Sequence, residues 1–136
     1  MTYRVVRASA SDLAAILAMQ RRVMPEDEPV SDADWWIVAS DDGPVGFGGM
    51  VPSRQFSDVG YLVRAGVLPA HRGRGLQKRL IRARLAAARR AGYAAVVTDT
   101  YKNPTSANSL ISCGFRAYEP ARPWAWADSC YWIRTL

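Results

Sequence analysis

Cysteine is scarce in this 136-residue sequence, with Cys113 and Cys130 the only two. Two cysteines without an export signal are more often reduced thiols than a disulfide, and neither is read as catalytic. The start Met1-Thr2-Tyr3-Arg4-Val5-Val6-Arg7 lacks the apolar stretch of a secretory signal. No uninterrupted apolar run approaches the ~18 residues of a membrane span. These absences make a soluble, cytoplasmic protein the expectation, with no membrane partner. Internal repeats and low-complexity tracts are missing as well, which argues against repeat architectures.

Carboxylates are absent from His71 to Arg90, a stretch that holds Arg72, Arg74, Lys78, Arg79, Arg82, Arg84, Arg89 and Arg90. The acids crowd an earlier segment instead, at Glu26, Asp27, Glu28, Asp32 and Asp34. The net charge of +6 is therefore unevenly placed. A basic end of this kind attracts polyanions in general, whether nucleic acid, acidic membrane or a phosphorylated cofactor, and it also fits a solvated helix face. Hydrophobic residues make up 49% of the chain and charged residues 22%. That balance suits a folded protein, and the length suits one domain over residues 1–136.

Periodicity supplies the elements. Tyr3 to Arg7 reads as a first strand, followed by a helix entry with Ser9 as N-cap and Asp12 in a capping-box position. Leu13, Ile16, Leu17 and Gln20 to Val23 carry helical spacing as far as Pro25. Met24 to Asp34 reads as an acidic loop with a short helical turn near Ser31, placed to cover a pocket. Trp35 to Ser40 and Pro44 to Pro52 flank Asp41-Asp42-Gly43, whose Asp-Gly step signals a hairpin. Gly60 to Val67 places Tyr61, Val63, Ala65 and Val67 on one face of a strand. Gly75 to Ala91 is a helix with Leu76, Leu80, Ile81, Leu85 and Ala88 on its apolar side and arginines on the other, stopped by Gly92. Ala94 to Tyr101 is a buried strand, Pro104 to Ser112 a short helix ending at Gly114, and further strands begin at Phe115 and Tyr131. The order predicts an α/β fold, one mixed sheet with helices on its faces.

The chemistry concentrates at His71-Arg72-Gly73-Arg74-Gly75-Leu76-Gln77, where a strand runs through a glycine loop into a long helix. Backbone N–H groups at a helix start converge on one point, glycine lets the backbone approach closely, and the helix end adds roughly half a positive charge. Arg72 and Arg74 can add charge-assisted hydrogen bonds, so the loop reads as an anion site. It is not a Walker loop, because Gly75 is followed by Leu76-Gln77 rather than Lys-Ser or Lys-Thr. It also lacks the third glycine and the later acidic residue of a dinucleotide fingerprint.

These residues resemble the GNAT superfamily of N-acetyltransferases. In that family a Gln/Arg-x-x-Gly-x-Gly/Ala motif cradles the pyrophosphate of coenzyme A. Arg72-Gly73-Arg74-Gly75-Leu76-Gln77 is similar to it, with the departure at Gln77. Val67-Leu68-Pro69-Ala70-His71 resembles the approach from the splayed fourth strand, and Val67 is the match for the residue whose backbone holds pantetheine. Asn103 to Phe115 resembles a second block, an asparagine followed by a short helix and a Gly-Phe ending. The resemblance implies a mixed, mostly antiparallel central sheet flanked by helices with a splayed strand pair. It also implies acetyl-CoA as acyl donor, no metal, and an amine-bearing acceptor that attacks the thioester directly in a ternary complex. The implied cofactor-binding residues are Val67, Arg72, Gly73, Arg74, Gly75, Leu76, Gln77 and Asn103.

The catalytic residues stay unassigned. Many relatives carry a tyrosine acid where this chain has Leu110, and some carry a glutamate base where it has Thr98. Asp99 is adjacent, but strand alternation points it away from the face of Thr98. Tyr61, Tyr101, Tyr118 and Tyr131 are candidate acids, each more simply explained by burial against the sheet. His71 fits anion contact or exposure better than base duty. The acidic segment could attract a cationic acceptor, and Trp35, Trp36, Trp124 and Trp126 could line its pocket. Two other functions fit: a non-catalytic acyl-CoA-binding regulator, and a nucleic-acid-binding domain using the arginine-rich helix. The second is not expected, because no nucleic-acid motif is present. A homodimer is compatible with the sequence.

Overall fold

A computed structural model describes residues 1–136. Its seven strands form one sheet. They are β1 (Arg4–Arg7), β2 (Asp34–Ser40), β3 (Gly43–Pro52), β4 (Val59–Val67), β5 (Ala95–Thr100), β6 (Arg116–Tyr118) and β7 (Cys130–Thr135). The spatial order is β1-β2-β3-β4-β5-β7-β6. Every pairing is antiparallel except β4 with β5. Three α-helices accompany the sheet: α1 (Leu13–Val23), α2 (Leu76–Arg90) and α3 (Pro104–Ser112). The mixed, mostly antiparallel sheet flanked by helices is thus present.

Local chemistry accounts for the boundaries. The N–H of Ser9 donates to Asp12 Oδ2 at 2.8 Å, which opens a 3-10 turn leading into α1. Gly43, with φ 93°, turns the chain between β2 and β3, as the Asp-Gly step requires. Asn103 caps α3 by accepting from the Ser106 N–H at 3.1 Å, and Pro104 follows at the first helical position, where no N–H is needed. No helix forms near Ser31. There the loop is held by the buried Gln20, whose side-chain amide donates to the Val30 carbonyl and accepts the Val30 N–H at 2.7 and 2.9 Å.

Alternation along β2 divides the core. Trp35 and Ile37 join Ile16, Met19 and Phe47 under α1, while Trp36 and Val38 join Leu76, Leu80, Leu85 and Leu110 under α2 and α3. Both tryptophans are buried, one on each face of the sheet.

The expected alternation of β4 fails at one place. Gly49 pairs with Val63 and Gly48 with Ala65, so Arg64 is an extra residue opposite β3. A one-residue bulge flips every later side chain. Val67 therefore shares the α2 face with Leu62 rather than with Tyr61 and Val63. Gly66 takes the α1 face, close to Val23 and Phe47.

A cleft at the fork between β4 and β5

The parallel pair β4–β5 is registered only over Val59–Tyr61 against Ala95–Val97, although both strands continue. Thr98 Oγ1 donates to the Leu62 carbonyl at 2.9 Å and closes the crotch of the fork. Beyond it the strands diverge around a cleft of about 580 Å³. Val63, Arg64 and Ala65 of β4 line one wall and Thr100 of β5 the other. Gln77, Ile81 and Arg84 of α2 and Ser106 and Leu110 of α3 form the floor. Met24, Asp27 and Val30 reach it from the loop after α1.

The bulge residue Arg64 has φ 31°, in the region that side-chain-bearing residues avoid, at a cost of about 1–3 kcal/mol. Its guanidinium pairs with Asp27 at 3.5 Å and donates to the Glu28 carbonyl at 3.3 Å, tying the acidic loop to β4. Of the five acids in that segment only Asp27 lines the cleft; Asp34 pairs with Arg7 at 2.8 Å between β1 and β2.

At the start of α2 no side chain caps the first turn and no acidic residue lies in it. Gly73 and Gly75 have φ 78° and 74°. A Cβ on either would meet no protein atom within 4 Å, so both face open space above the helix end. Leu76 buries its side chain in the core, whereas Gln77, one residue on, lines the cleft. The exposed Arg72 donates from Nε to the Val67 carbonyl at 2.8 Å. Because the Leu68 N–H bonds back to Val45 at 2.8 Å, Val67 directs its own backbone groups away from β3. Arg74 Nε donates to Tyr3 Oη at 3.0 Å, and Tyr3 Oη lies 2.8 Å from His71 Nδ1. Both loop arginines are thus partly engaged, each with further N–H groups to offer. Asn103 lines the cleft while capping α3. Among the expected cofactor residues Gln77 and Asn103 line the cleft, whereas Val67 and Arg72–Leu76 are not among its lining residues.

Leu110 is buried and Thr98 is spent on the Leu62 carbonyl, so neither supplies an acid or base. Alternation does send Asp99 away from Thr98, toward the face of Tyr61. There its Oδ1 accepts from Tyr61 Oη at 2.5 Å and from Trp124 Nε1 at 2.9 Å. Burial, then the Asp99 hydrogen bond and its charge, raise the Tyr61 pKa, which makes that phenol a weaker acid. Burial likewise raises the Tyr118 pKa. Tyr131 accepts the Ala125 N–H at 3.0 Å, and Tyr101 is exposed.

Sequence patterning missed Arg84. Expected on the solvated face, it is 2% exposed. It lies four residues after Leu80 and four before Ala88, inside the apolar stripe, and that spacing was the available signal. Its Nε donates to the Leu80 carbonyl at 3.1 Å and its Nη1 to the Gly49 carbonyl at 3.0 Å. Desolvation lowers its pKa to about 10, so it remains a cation at neutral pH, and it forms no ion pair. A buried positive charge therefore stands in the cleft floor.

The sequence profile of the acetyltransferase (GNAT) family matches residues 11–115. No curated protein matches in sequence. Among solved structures, YncA of Salmonella typhimurium with its cofactor acetyl-CoA superposes with a TM-score of 0.83 at 19% identity, over 99% of this chain and 94% of that one. A phosphinothricin acetyltransferase from Sinorhizobium meliloti in complex with acetyl-CoA gives 0.82 at 17%, over 100% and 89%. A ribosomal-protein-alanine N-acetyltransferase from Brucella melitensis gives 0.80 at 17%, over 98% and 99%. The names of the last two describe unlike acceptors on one fold, so the fold leaves the acceptor open.

Proposed function

This chain belongs to the acetyltransferase (GNAT) family, and from that premise we propose that it transfers the acetyl group of acetyl-CoA to an amino group of a small-molecule or protein acceptor. The observation that carries the reading is the fork itself. β4 leaves β5 after Tyr61, Gln77 of α2 lines the cleft between them, and that helix starts without a side-chain cap directly after Gly73 and Gly75.

The residues present fit coenzyme A. Space above both glycines is free of protein, and the first N–H groups of α2 lack side-chain partners. In this reading the amides of the Gly73–Gly75 loop and of Leu76 and Gln77 hold the diphosphate, with charge from Arg72 and Arg74. Val67, with its backbone turned from β3, and Asn103 hold the pantetheine arm. Acetyl-CoA supplies a thioester carbonyl open to attack by an amine.

The chain's own groups then act mainly by placement. The fork holds two reactants along one line, and orientation of that kind is worth up to ~7–11 kcal/mol of barrier. N–H groups on the unpaired edge of β4 face the site where carbonyl charge would grow. Arg84 supplies a fixed positive charge on the floor, and Leu110 supplies no proton donor there. One C–N bond would form, one C–S bond would break with its electron pair going to sulfur, and the proton that leaves the nitrogen would end, through solvent, on that sulfur as the free thiol.

The test is calorimetric titration of the full chain with acetyl-CoA, followed by amine-dependent thiol release. Saturable binding that weakens by about tenfold or more in Gly75→Val supports the reading, since the branched side chain fills the space over the helix end. Binding unaffected by that change overturns it. A second reading, a non-catalytic acyl-CoA-binding regulator, is favoured by Leu110 and Thr98. Tight binding with no thiol release across a broad amine panel would select it.

A further inference from the structure

A second cavity of about 360 Å³ opens beside the fork, lined by Tyr61, Asp99, Trp124, Ala125 and Trp126. Three of these, Tyr61, Asp99 and Trp126, also line the main cleft, so the two are continuous. We propose that this aromatic pocket recognises a primary ammonium group carried on an aromatic body, with Asp99 as its charge partner. The proposal rests on reading the cleft as the site of an amine-acetylating enzyme, and it names the acceptor class.

Asp99 is the only carboxylate in the pocket. The chain's two ion pairs, Arg7–Asp34 and Arg64–Asp27, leave it without a cationic partner. Its two hydrogen bonds come from the neutral donors Tyr61 and Trp124, and both end on Oδ1. They orient the carboxylate without neutralising it, and Oδ2 makes no hydrogen bond within the protein. A half-buried carboxylate so placed favours a cation and repels anions.

The walls match that charge. Tyr61 meets Trp124 edge-on at 5.8 Å, and Trp124 meets Tyr131 at 4.6 Å, so the rings are braced against each other. The Ala125 N–H donates to Tyr131 Oη, which pins the loop that carries Trp124 and Trp126. Aromatic faces beside a carboxylate attract an organic ammonium by cation–π interaction and by charge together. Trp126 is 76% exposed, a large apolar surface that an aromatic ligand body would cover. A purely structural role for Asp99, holding the Trp124 loop to β5, accounts for the two hydrogen bonds. It accounts neither for the lack of a basic side chain paired with Asp99 nor for the uncovered Trp126.

The experiment uses the full chain and two matched probe pairs, phenethylamine with 2-phenylethanol and tyramine with tyrosol, titrated calorimetrically. Each pair differs in ammonium against hydroxyl. The amines are expected to saturate, with each alcohol weaker by about tenfold or more. Asp99→Asn is expected to bring the amines down to the alcohols while leaving acetyl-CoA affinity within about twofold. Trp126→Ala is expected to weaken the amines about threefold or more. Absence of saturable amine binding, equal binding of amine and alcohol to the unmodified protein, or an undiminished amine affinity in folded Asp99→Asn overturns the proposal. Amine binding without any acetyl-CoA binding would sink the acetyltransferase reading and leave the ammonium pocket standing. The reverse pattern would sink the pocket alone.

Discussion

The guanidinium of Arg84 lies flat against Gly48, so close that a Cβ on that glycine would sit 2.9 Å from Arg84 Cζ. A glycine in mid-strand weakens a sheet unless something uses the vacated space, and here a helix arginine does. Gly48→Ala is expected to push Arg84 off the Gly49 and Leu80 carbonyls and to destabilise the fold by about 1–3 kcal/mol. Arg84→Met keeps most of the volume without the charge, and the double variant Gly48→Ala/Arg84→Met should recover part of the loss. Urea denaturation of all four proteins measures the coupling. Simple additivity would mean that the two residues do not press on each other.

Tyr61 gives the pocket a pH signature in the alkaline range. Its folded-state pKa is raised, by burial first and then by Asp99, above the ordinary value of 10.0. A raised acid keeps its proton longer in the folded state than in the unfolded chain. Its contribution to stability is therefore whole below about pH 10 and shrinks as pH climbs toward the folded pKa. Denaturant midpoints from about pH 8 to about pH 11 should fall more steeply for the unmodified protein than for Tyr61→Phe. Parallel slopes would show that the phenol is not held by its surroundings.

Gln20 is 1% exposed and spends both ends of its amide on Val30. Those two bonds hold the segment from Met24 to Val30 against the cleft. Gln20→Leu preserves bulk but strands the Val30 N–H and carbonyl, at a cost of about 2–4 kcal/mol. Limited proteolysis should then cut within residues 24–33 well before the rest of the chain. Unchanged cleavage there would mean that Arg64, not Gln20, holds the loop.

The contrast between these residues and the glycine loop shows what patterning can reach. The hairpin at Gly43, the helix start at Pro104 and the turn over Gly73 and Gly75 depend on a few consecutive residues, and each stands where local chemistry puts it. Alternation puts Val67 on the wrong face because it assumes an unbroken ladder, and the extra residue is visible only against Gly48 and Gly49 of the neighbouring strand. Charge alone puts Arg84 on the solvated face despite its position in the stripe, and the space that receives it belongs to β3. Asp99 meets Trp124 across 25 residues and Tyr61 across 38, so no local window contained the pocket.

Arg64 provides a test in which two general preferences oppose each other. Valine favours strands far more than glycine does, so an ordinary strand position would rank Arg64→Val above Arg64→Gly. At φ 31° the order should invert, because a β-branched side chain clashes there and glycine does not. Both variants lose the pairing with Asp27, a partly exposed contact worth at most about 1 kcal/mol, so that loss cancels in the comparison. Arg64→Gly should therefore stay within about 1 kcal/mol of the unmodified protein, and Arg64→Val should fall about 1–2 kcal/mol below Arg64→Gly. Urea midpoints decide the ranking. If valine proves the better residue, the bulge is not locked at Arg64 and the ladder can slip, which would carry Val67 onto the opposite face and turn its backbone groups toward β3.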